Sequence, residues 1–384
     1  MPYVLMMAVC LSAEPRPEPK SIEGDPKTGQ ALAIVSEWGY LAYTGQIFPT
    51  GPSVAPTPPE EQIADVFRQL DRLVTPKGVL KLNVYVHEPS IAALITKQLA
   101  KRYSGGYQPA VCFVQTAMPS GGVVVGLDAV VEVGAPPSEG MVRREKPSVK
   151  GRPSPLAFLP SGGTAYISGQ AEKGDGTVAD ATKKTMESLF KTLTFLECRP
   201  ADVVQIKAFL TPMKDSTIAI KEIVAAFGDE VAPPVSVVEW KSTLPIEIEM
   251  VVSSRSRPEA PRIEYLTPPE MKASPVYARV TRINTPGQIF VGGLLGKTEM
   301  PSSADEVRDV FATLKRVTEA AGSDLKHLAK ATYYVSDEAV SSHLNTVRPE
   351  FYDPERPPAA SKAMVIGTGS LGRTLTLDMI AVPK

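Results

Sequence analysis

Hydrophobic and polar positions follow one order three times along the chain. In the last third, two short β-prone runs within residues 278–291 are separated by Thr285-Pro286-Gly287, which predicts a hairpin. After it the pattern predicts a capped amphipathic helix, a middle strand (328–335), a second helix (338–351) and two closing strands (362–366 and 374–382). The first of these helices carries apolar side chains at helical spacing: Val307, Val310, Phe311, Leu314 and Val317.

The first and middle thirds show the same order of elements. In the first third, Thr57-Pro58-Pro59-Glu60 predicts a capping box, and a middle strand (80–86) and a second helix (91–103) are predicted after it. In the middle third, the corresponding strand and helix are predicted over 203–210 and 218–227. Each third therefore reads β-β-α-β-α-β-β, which is an α+β arrangement.

Short motifs recur at a constant spacing. Gly45-Gln46, Gly169-Gln170 and Gly293-Leu294 follow one another at intervals of 124 residues. A period of this length is the size of a small domain and is too long for a solenoid repeat. We therefore expect one domain used three times, with function located between the copies.

Proline-rich and charged stretches separate the copies. The predicted boundaries are 1–24 (tail), 25–135 (a degenerate first repeat), 136–152 (linker), 153–254 (second repeat), 255–264 (linker) and 265–384 (third repeat). The apolar start of the tail resembles part of a secretory signal but lacks the positively charged residues that open one. A disordered or loosely docked tail and a partial signal both stay open.

Two amphipathic helices cover only one face of each sheet, so the other face needs a partner. The simplest partner is the other two copies. This predicts three sheets packed around a central axis, an intrachain pseudo-trimer, and a chain that is a monomer in solution. The alternative is three separate domains that associate with other chains.

Charge and composition exclude several classes of function. The formal net charge of −1 gives no field that attracts nucleic acid or an anionic membrane, and no stretch beyond the N-terminus approaches a membrane span. Three cysteines without CxxC spacing and three histidines without a ligand motif argue against a disulfide framework and a metal site. No cofactor is expected. The expected location is cytoplasmic, with export left open by the apolar N-terminus.

Several motifs resemble the RidA (YjgF-type, endoribonuclease L-PSP-like) family. They are the Ser168-Gly169-Gln170 turn, the helix that ends at Ala320-Ala321-Gly322, and the closing strands at 246–252 and 375–382. The resemblance covers residues 25–384 and is weakest in the first copy. It implies three chorismate-mutase-like domains and ligand pockets between neighbouring subunits of a trimer. It also implies hydrolysis of reactive enamines and imines to keto acids and ammonia; some members are labelled endoribonucleases.

The family's active pocket uses an arginine that follows the Pro-Ala opening the fourth strand, where its planar fork binds a substrate carboxylate. The corresponding residues here are Val111, Val235 and Ala360. An apolar side chain cannot replace this charged hydrogen-bond pair, which contributes about 1.5–3 kcal/mol. Standard keto-acid imine hydrolysis is therefore disfavoured in all three copies.

The resemblance also assigns a water-positioning carboxylate to the last strand, which makes Asp128, Glu249 and Asp378 candidate catalytic residues. For each of them, a solvated or backbone-satisfied carboxylate is the alternative. Ser168 and Thr44 keep the hydroxyl of a family serine and are candidate ligand-binding residues. Both could instead make only local hydrogen bonds.

The third copy has a candidate cation in place of the arginine. Lys362 lies two residues beyond Ala360 and so shares its strand face, and Asn345 matches a family asparagine. We hypothesise a cationic pocket built from Lys362, Asn345 and Asp378, with the other two pockets apolar. A direct Lys362–Asp378 pair is the alternative and would leave no free cation.

These observations favour a RidA-like protein that binds small molecules in pockets between its repeats. One alternative is an enamine or imine deaminase, a hydrolase, that uses different residues. The other is a non-catalytic scaffold. The identity of the ligand does not follow from the residues.

Overall fold

The computed structural model of the protein describes residues 17–37, 40–50, 57–134, 140–296 and 300–384. Residues 1–16 of the predicted tail lie outside the described residues, so the choice between a loose tail and a partial signal stays a prediction.

The chain forms three segments with one order of elements, strand–strand–helix–strand–helix–strand–strand, each preceded by a short extra strand. Segment 1 contains β1 (Lys20–Asp25), β2 (Gln30–Ser36), β3 (Leu41–Thr44), α1 (Pro59–Leu73), β4 (Val79–Val86), α2 (Pro89–Arg102), β5 (Ala110–Gln115) and β6 (Val125–Glu132). Segment 2 contains β7 (Arg143–Arg144), β8 (Leu156–Leu159), β9 (Gly163–Gln170), α3 (Val178–Phe195), β10 (Val203–Leu210), α4 (Ser216–Ala226), β11 (Val235–Glu239) and β12 (Ile246–Ser254). Segment 3 contains β13 (Ile263–Leu266), β14 (Val280–Ile283), β15 (Gln288–Leu295), α5 (Ala304–Ala320), β16 (Leu328–Val335), α6 (Glu338–Phe351), β17 (Ala359–Met364) and β18 (Leu375–Ala381).

The first helices form where the apolar spacing predicts them, but they are capped differently. At the start of α5, Ser303 Oγ accepts the N–H of Glu306 at 3.1 Å, which is the predicted cap. The Glu306 carboxylate accepts the N–H of Ser302 at 2.9 Å instead of that of Ser303, so the reciprocal half of the box is absent. The N-cap of α1 is Pro58, and no described side chain caps that helix. The capping box predicted at Thr57 is therefore wrong. The proline at the first helical position, Pro59, has one unsatisfied N–H fewer and a fixed φ that suits the start of a helix.

Each sheet is completed by a strand from another segment. β3 pairs with β8, β9 with β14, and β15 with β2, always antiparallel. Because β2 also pairs with β5, segments 1 and 3 share one 12-stranded sheet beside a 6-stranded one, so the predicted three separate sheets are two. The first two strands of a segment do not pair with each other, and β14 and β15 lie in different sheets. The hairpin predicted across Thr285-Pro286-Gly287 is wrong for this reason: β14 joins the sheet of segment 2, and β15 joins the sheet of segment 3. The exchange leaves neither strand as an exposed edge.

Within each segment, the other strands keep one arrangement. The fourth strand (β5, β11 or β17) runs parallel to the middle strand (β4, β10 or β16). The last strand (β6, β12 or β18) runs antiparallel to the same middle strand on its other side. The fourth strand is thereby placed next to the neighbouring segment.

Apolar side chains fill both faces of each sheet. On one face the helices of the same segment cover the sheet, around Phe67 in segment 1, Met186 in segment 2 and Phe311 in segment 3. The opposite faces meet in two clusters to which all three segments contribute. These shared clusters include Tyr43, Tyr166 and Phe290, and Tyr85, Phe209 and Tyr334. Burying each such side chain contributes about 1.5–3 kcal/mol, so the interior binds the segments strongly to one another.

The predicted tail and linkers contain the extra strands. Residues 20–25 pair with β2, Arg143 and Arg144 pair with β8, and β13, which begins inside the second predicted linker, pairs with β14. Parts of 1–24, 136–152 and 255–264 therefore form strands, and the domain boundaries themselves stay a prediction. The charge of Arg144 suggested a solvated linker. Instead, its buried guanidinium donates to the carbonyls of Pro200, Val203 and Val231, which fixes this stretch against segment 2.

Candidate functional site

Three equivalent clefts lie where the segments meet. In each, the fourth strand of one segment lies beside the end of the second strand of another. β11 lies beside β3 in the first cleft, β17 beside β9 in the second, and β5 beside β15 in the third. The positions at which the resemblance places an arginine follow in the same order: Val235, Ala360 and Val111.

The first cleft is open, with a volume of about 630 Å³. Val235 and Val237 line it, together with side chains of α1, of α4 and of the stretch from 148 to 155. The described lining includes two arginines, Arg72 and Arg152, and no carboxylate. An apolar wall with positive charge nearby is a suitable environment for a small organic molecule.

Gln46 joins the two segments beside this cleft. Its side-chain amide donates to the carbonyl of Val237 at 3.1 Å and accepts the N–H of Val237 at 2.9 Å. These two bonds satisfy backbone groups at the free edge of β11 and hold that edge in place. The corresponding Gln170 donates to Thr192 instead, at 2.7 Å, within its own segment.

In segment 3 the structure brings Lys362 and Asn345 together. Lys362 Nζ donates to Ser341 Oγ at 2.9 Å and to Asn345 Oδ1 at 3.3 Å. The same Asn345 oxygen accepts from Arg348 at 2.9 Å. Partial burial, and then the charge of Arg348, lower the pKa of Lys362. The amine is therefore a weaker base than an exposed lysine, and two side-chain oxygens already accept from it.

Asp378 is not part of this group. In the sheet of segment 3, Thr332 lies opposite both Ser361 and Asp378, whereas Tyr333 lies opposite both Lys362 and Leu377. Residues opposite each other share a sheet face, so Asp378 and Lys362 lie on opposite faces. The predicted pocket with Asp378 and the alternative Lys362–Asp378 pair are both wrong. Alternation along single strands does not fix the register between them.

The three carboxylates predicted as catalytic candidates lie in a buried belt between the segments. Asp378 makes an ion pair with Lys81, and Glu249 makes one with Lys330 at 2.5 Å. Asp128 accepts three hydrogen bonds of 2.7 Å each, from Asn83, Tyr85 and Ser236. Each acid thus has a side-chain partner from another segment. The alternative of a solvated or backbone-satisfied carboxylate is wrong, because all three are buried against side chains, and their catalytic role stays a prediction.

The lysines of the belt do not all occupy one position. Lys81 and Lys330 match each other along the middle strands, and the matching residue of segment 2 is Gln205, which donates to the carbonyl of Thr44 at 3.2 Å. The third cation is Lys207, two residues further along β10. Burial opposes its charge, but the neighbouring Tyr334, Tyr85 and Asp128 raise its pKa well above the usual value. The belt thereby balances three carboxylates with three lysines.

The second cleft contains a different carboxylate, Glu247. Burial raises the pKa of Glu247 to about 7; the charge of Glu249 adds to the shift, and a hydrogen bond with Ser361 opposes it. Gly169 donates its N–H to Ser361 Oγ at 3.2 Å, and a Cβ on Gly169 would collide with the Glu247 carboxylate. Glu247 is therefore a proton-holding group at the junction of β9, β12 and β17.

In the third cleft the two strands approach each other closely. A Cβ on Gly292 would lie 3.1 Å from the carbonyl oxygen of Val111, and one on Gly293 would lie 3.1 Å from Cα of Cys112. Burial raises the pKa of Cys112 to about 12, so its thiol stays protonated at neutral pH. On the equivalent Gly45 of the first cleft, a Cβ would lie 3.8 Å from the facing Val235, so the two strands are further apart there.

The two candidate hydroxyls are engaged with backbone groups. Ser168 Oγ donates to the carbonyl of Arg279 at 3.0 Å, and Thr44 Oγ1 accepts the N–H of Ala129 at 2.9 Å. Both side chains are buried. Their ligand-binding role stays a prediction, and their observed role is to hold neighbouring strands.

Sequence reasoning missed the belt lysines, Gln46 and Glu247. A signal for the lysines was present, because Lys81, Lys207 and Lys330 each interrupt an eight-residue strand that is otherwise largely apolar. A charged residue in a strand buried on both faces requires a buried partner. Glu247 shares its face with Glu249, and only the contacts of the cleft distinguish the two.

The residues that the structure describes contain no group of three or more His, Cys, Asp and Glu side chains placed to hold a metal ion. None of the described helices combines the length and the apolar character needed to cross a membrane.

The family model "Endoribonuclease L-PSP" matches residues 146–254 and 269–380, more than half of the chain. The chain is similar to a YjgF-family structure from Neisseria meningitidis at 23% identity, covering 32% of this chain and 95% of that one with a TM-score of 0.24. It is similar to RidA from an Antarctic Psychrobacter species at 23% identity, covering 25% and 80% with a TM-score of 0.23. It is similar to TdcF from E. coli, solved with bound serine, at 23% identity, covering 25% and 81% with a TM-score of 0.23. No curated protein matches the chain.

Proposed function

The chain belongs to the endoribonuclease L-PSP family of RidA-type proteins, and we propose on that premise that it binds a small molecule in the first cleft. The observation that carries this proposal is the open space of about 630 Å³ between segments 1 and 2. Its volume lies within the range of roughly 300–1,000 Å³ that ligand sites occupy, and its lining combines apolar and polar side chains.

We propose the intrachain pseudo-trimer as the architecture that holds this cleft. The exchanged strands and the clusters shared by all three segments support it. Residues 25–135 then act as a third, degenerate repeat beside the two that the family model matches. Light scattering on the purified chain should give a monomer of 41.2 kDa. A species three times heavier would mean that segments of different chains associate instead.

Standard imine deamination is not part of the proposal. Val235 and Val111 offer no cation for a substrate carboxylate, and beside Ala360 the nearby Lys362 already donates to Ser341 and Asn345. In a coupled assay, a serine dehydratase generates the reactive imine and pyruvate release is followed. The protein at sub-stoichiometric amounts should leave the rate unchanged.

A hydrolase that uses the second cleft is the second candidate function. Glu247, with its pKa raised to about 7, exchanges a proton readily near neutral pH and so suits general acid–base work. If the imine assay does show acceleration, Glu247→Gln should abolish it under this candidate, whereas Glu187→Gln on the exposed surface of α3 should not. Acceleration that survives Glu247→Gln would eliminate it.

Binding in the first cleft is tested with a neutral fluorescent probe, N-phenyl-1-naphthylamine, excited beyond the absorption of tryptophan. Thr217 is an exposed residue of α4 that lines the cleft, so Thr217→Trp should fill it without disturbing the core. We expect the dissociation constant of the probe to rise about tenfold or more. Ala225→Trp, on the same helix but outside the lining, is the matched control. Equal binding by both variants would refute the proposed site and favour a scaffold role.

A further inference from the structure

We propose that the first cleft selects a molecule with an anionic group on an apolar body, and that Arg72 and Arg152 bind the anionic group. This inference rests on the proposed function and names the chemical class of its ligand. The chemistry required is a carboxylate, sulfonate or phosphate group attached to an aromatic or aliphatic body.

The described lining of the cleft is positively charged. Arg72 and Arg152 both line it, and its described lining contains no acidic residue. Among the described residues, neither arginine makes an ion pair, in contrast to the exposed Arg68 and Arg308, which pair with Asp65 and Glu350 at 3.0 Å each. Two unpaired guanidinium groups at the mouth of a cleft attract an anion and present planar donors to its oxygens.

The two arginines come from different segments. Arg72 lies in the last turn of α1 in segment 1, and Arg152 lies in the stretch that precedes β8 in segment 2. The positive charge is therefore supplied from both segments that form the cleft. The residue at the fourth-strand position, Val235, adds apolar surface instead. A ligand held by both arginines would bridge the two segments.

The rest of the lining is largely apolar. Apolar side chains make up much of it: Ile47, Phe48, Leu73, Ile220, Val235 and Val237. Contact with such a surface favours an apolar body by about 25 cal/mol per Å² of apolar area removed from water. A fully polar anion, such as inorganic phosphate, would leave this surface unused.

Two probes that differ in charge distinguish the contribution of the anionic group to affinity from that of the apolar body. 8-Anilinonaphthalene-1-sulfonate and N-phenyl-1-naphthylamine share one aromatic body, and only the first carries an anionic group. Wild-type protein should bind the sulfonate at least about tenfold more tightly than the neutral probe at low ionic strength. Added salt should reduce the difference, because it screens charges at a solvent-accessible site.

The variant Arg72→Gln/Arg152→Gln should weaken sulfonate binding about tenfold and leave binding of the neutral probe within about twofold. Arg68→Gln/Arg199→Gln removes two arginines outside the lining and should change neither. Equal sulfonate affinity in the two double variants would overturn the inference. If Thr217→Trp blocks the neutral probe in that case, the proposed function still stands and only the ligand class is wrong. If Thr217→Trp blocks neither probe, the site itself is wrong.

Discussion

The first and third clefts occupy equivalent places in the fold, yet the strands approach each other more closely in the third than in the first. Gly45 and Gly293 show the difference: a Cβ on Gly45 would have its nearest neighbour, the carbonyl oxygen of Ser154, at 3.4 Å. On the equivalent Gly293 it would meet Thr376 Oγ1 at 2.8 Å and Cys112 Cα at 3.1 Å. One backbone arrangement thus leaves more or less room between two segments, depending on how closely two strands approach. Each cleft must be judged by its own residues.

The buried belt differs between the same two interfaces. Where segments 3 and 1 meet, Lys81 pairs with Asp378. Where segments 1 and 2 meet, the matching residue is the neutral Gln205, and Asp128 is satisfied by hydrogen bonds from Asn83, Tyr85 and Ser236. The interface with the closer strands carries a buried ion pair, and the interface with the open first cleft carries a hydrogen-bonded acid. Two predictions test this contrast, and a third extends the comparison to the second cleft.

The largest effect is expected from Lys81→Gln, which gives the third interface the neutral residue of the first. Asp378 would keep its charge in a buried place without a cation, and breaking such a pair costs about 3–5 kcal/mol. Urea unfolding followed by circular dichroism measures the loss. Adding Asp378→Asn should recover most of it. A loss below about 1 kcal/mol would contradict the view that this pair holds the interface.

A smaller effect is expected from Gly293→Ala. The new methyl group would press on the backbone of Cys112 and on Thr376, and overpacking of this kind costs about 1–3 kcal/mol. Gly45→Ala is the matched control at the open cleft, where the methyl group meets only ordinary contacts. Its effect should stay within about 1 kcal/mol, with a small stabilisation expected from the reduced freedom of the unfolded chain. Equal losses at both positions would remove the contrast in packing between the two clefts.

Much of the order of elements was predictable because helical and strand periodicities are local properties of the chain. Helix α6 spans Glu338–Phe351, as its pattern predicts, and the prediction of a RidA-type family is confirmed by the family match. Which strands pair was not predictable in the same way. β14 and β15 have a turn between them that suits a hairpin, and only contacts more than a hundred residues away direct them into different sheets.

The candidate site was predictable only where neighbouring positions within one segment decided it. Lys362 and Asn345 meet because a strand and the helix before it belong to one segment. Asp378 was misplaced because its face depends on the register of β16 with both of its neighbours. Arg72 and Arg152 lie in different segments, and no local pattern connects them with Val235. A site built between segments depends on contacts that periodicity does not specify.

The smallest effect concerns the second cleft and its pH dependence. Phe209 lies opposite Glu247, and the equivalent Tyr85 lies opposite Gly126, so the matching position of segment 1 has no titratable group. Because burial raises the pKa of Glu247 from 4.5 to about 7, the folded protein holds a proton that the unfolded chain releases over this range. Stability from Glu247 is therefore fully present below about pH 4.5 and is lost as the pH rises through about 7.

We expect the unfolding free energy of the wild type, relative to Glu247→Gln, to fall by about 1–2 kcal/mol between about pH 5 and pH 8, allowing for the partial exposure of the side chain. The glutamine variant keeps the shape of the protonated acid and cannot release the proton, so it isolates this one group. Glu187→Gln, on the exposed face of α3, should follow the wild type across the same range. A constant difference between wild type and Glu247→Gln would show that Glu247 is already ionised in the fold. The second cleft would then hold a fixed negative charge, and its candidate role in proton transfer would lose its physical basis.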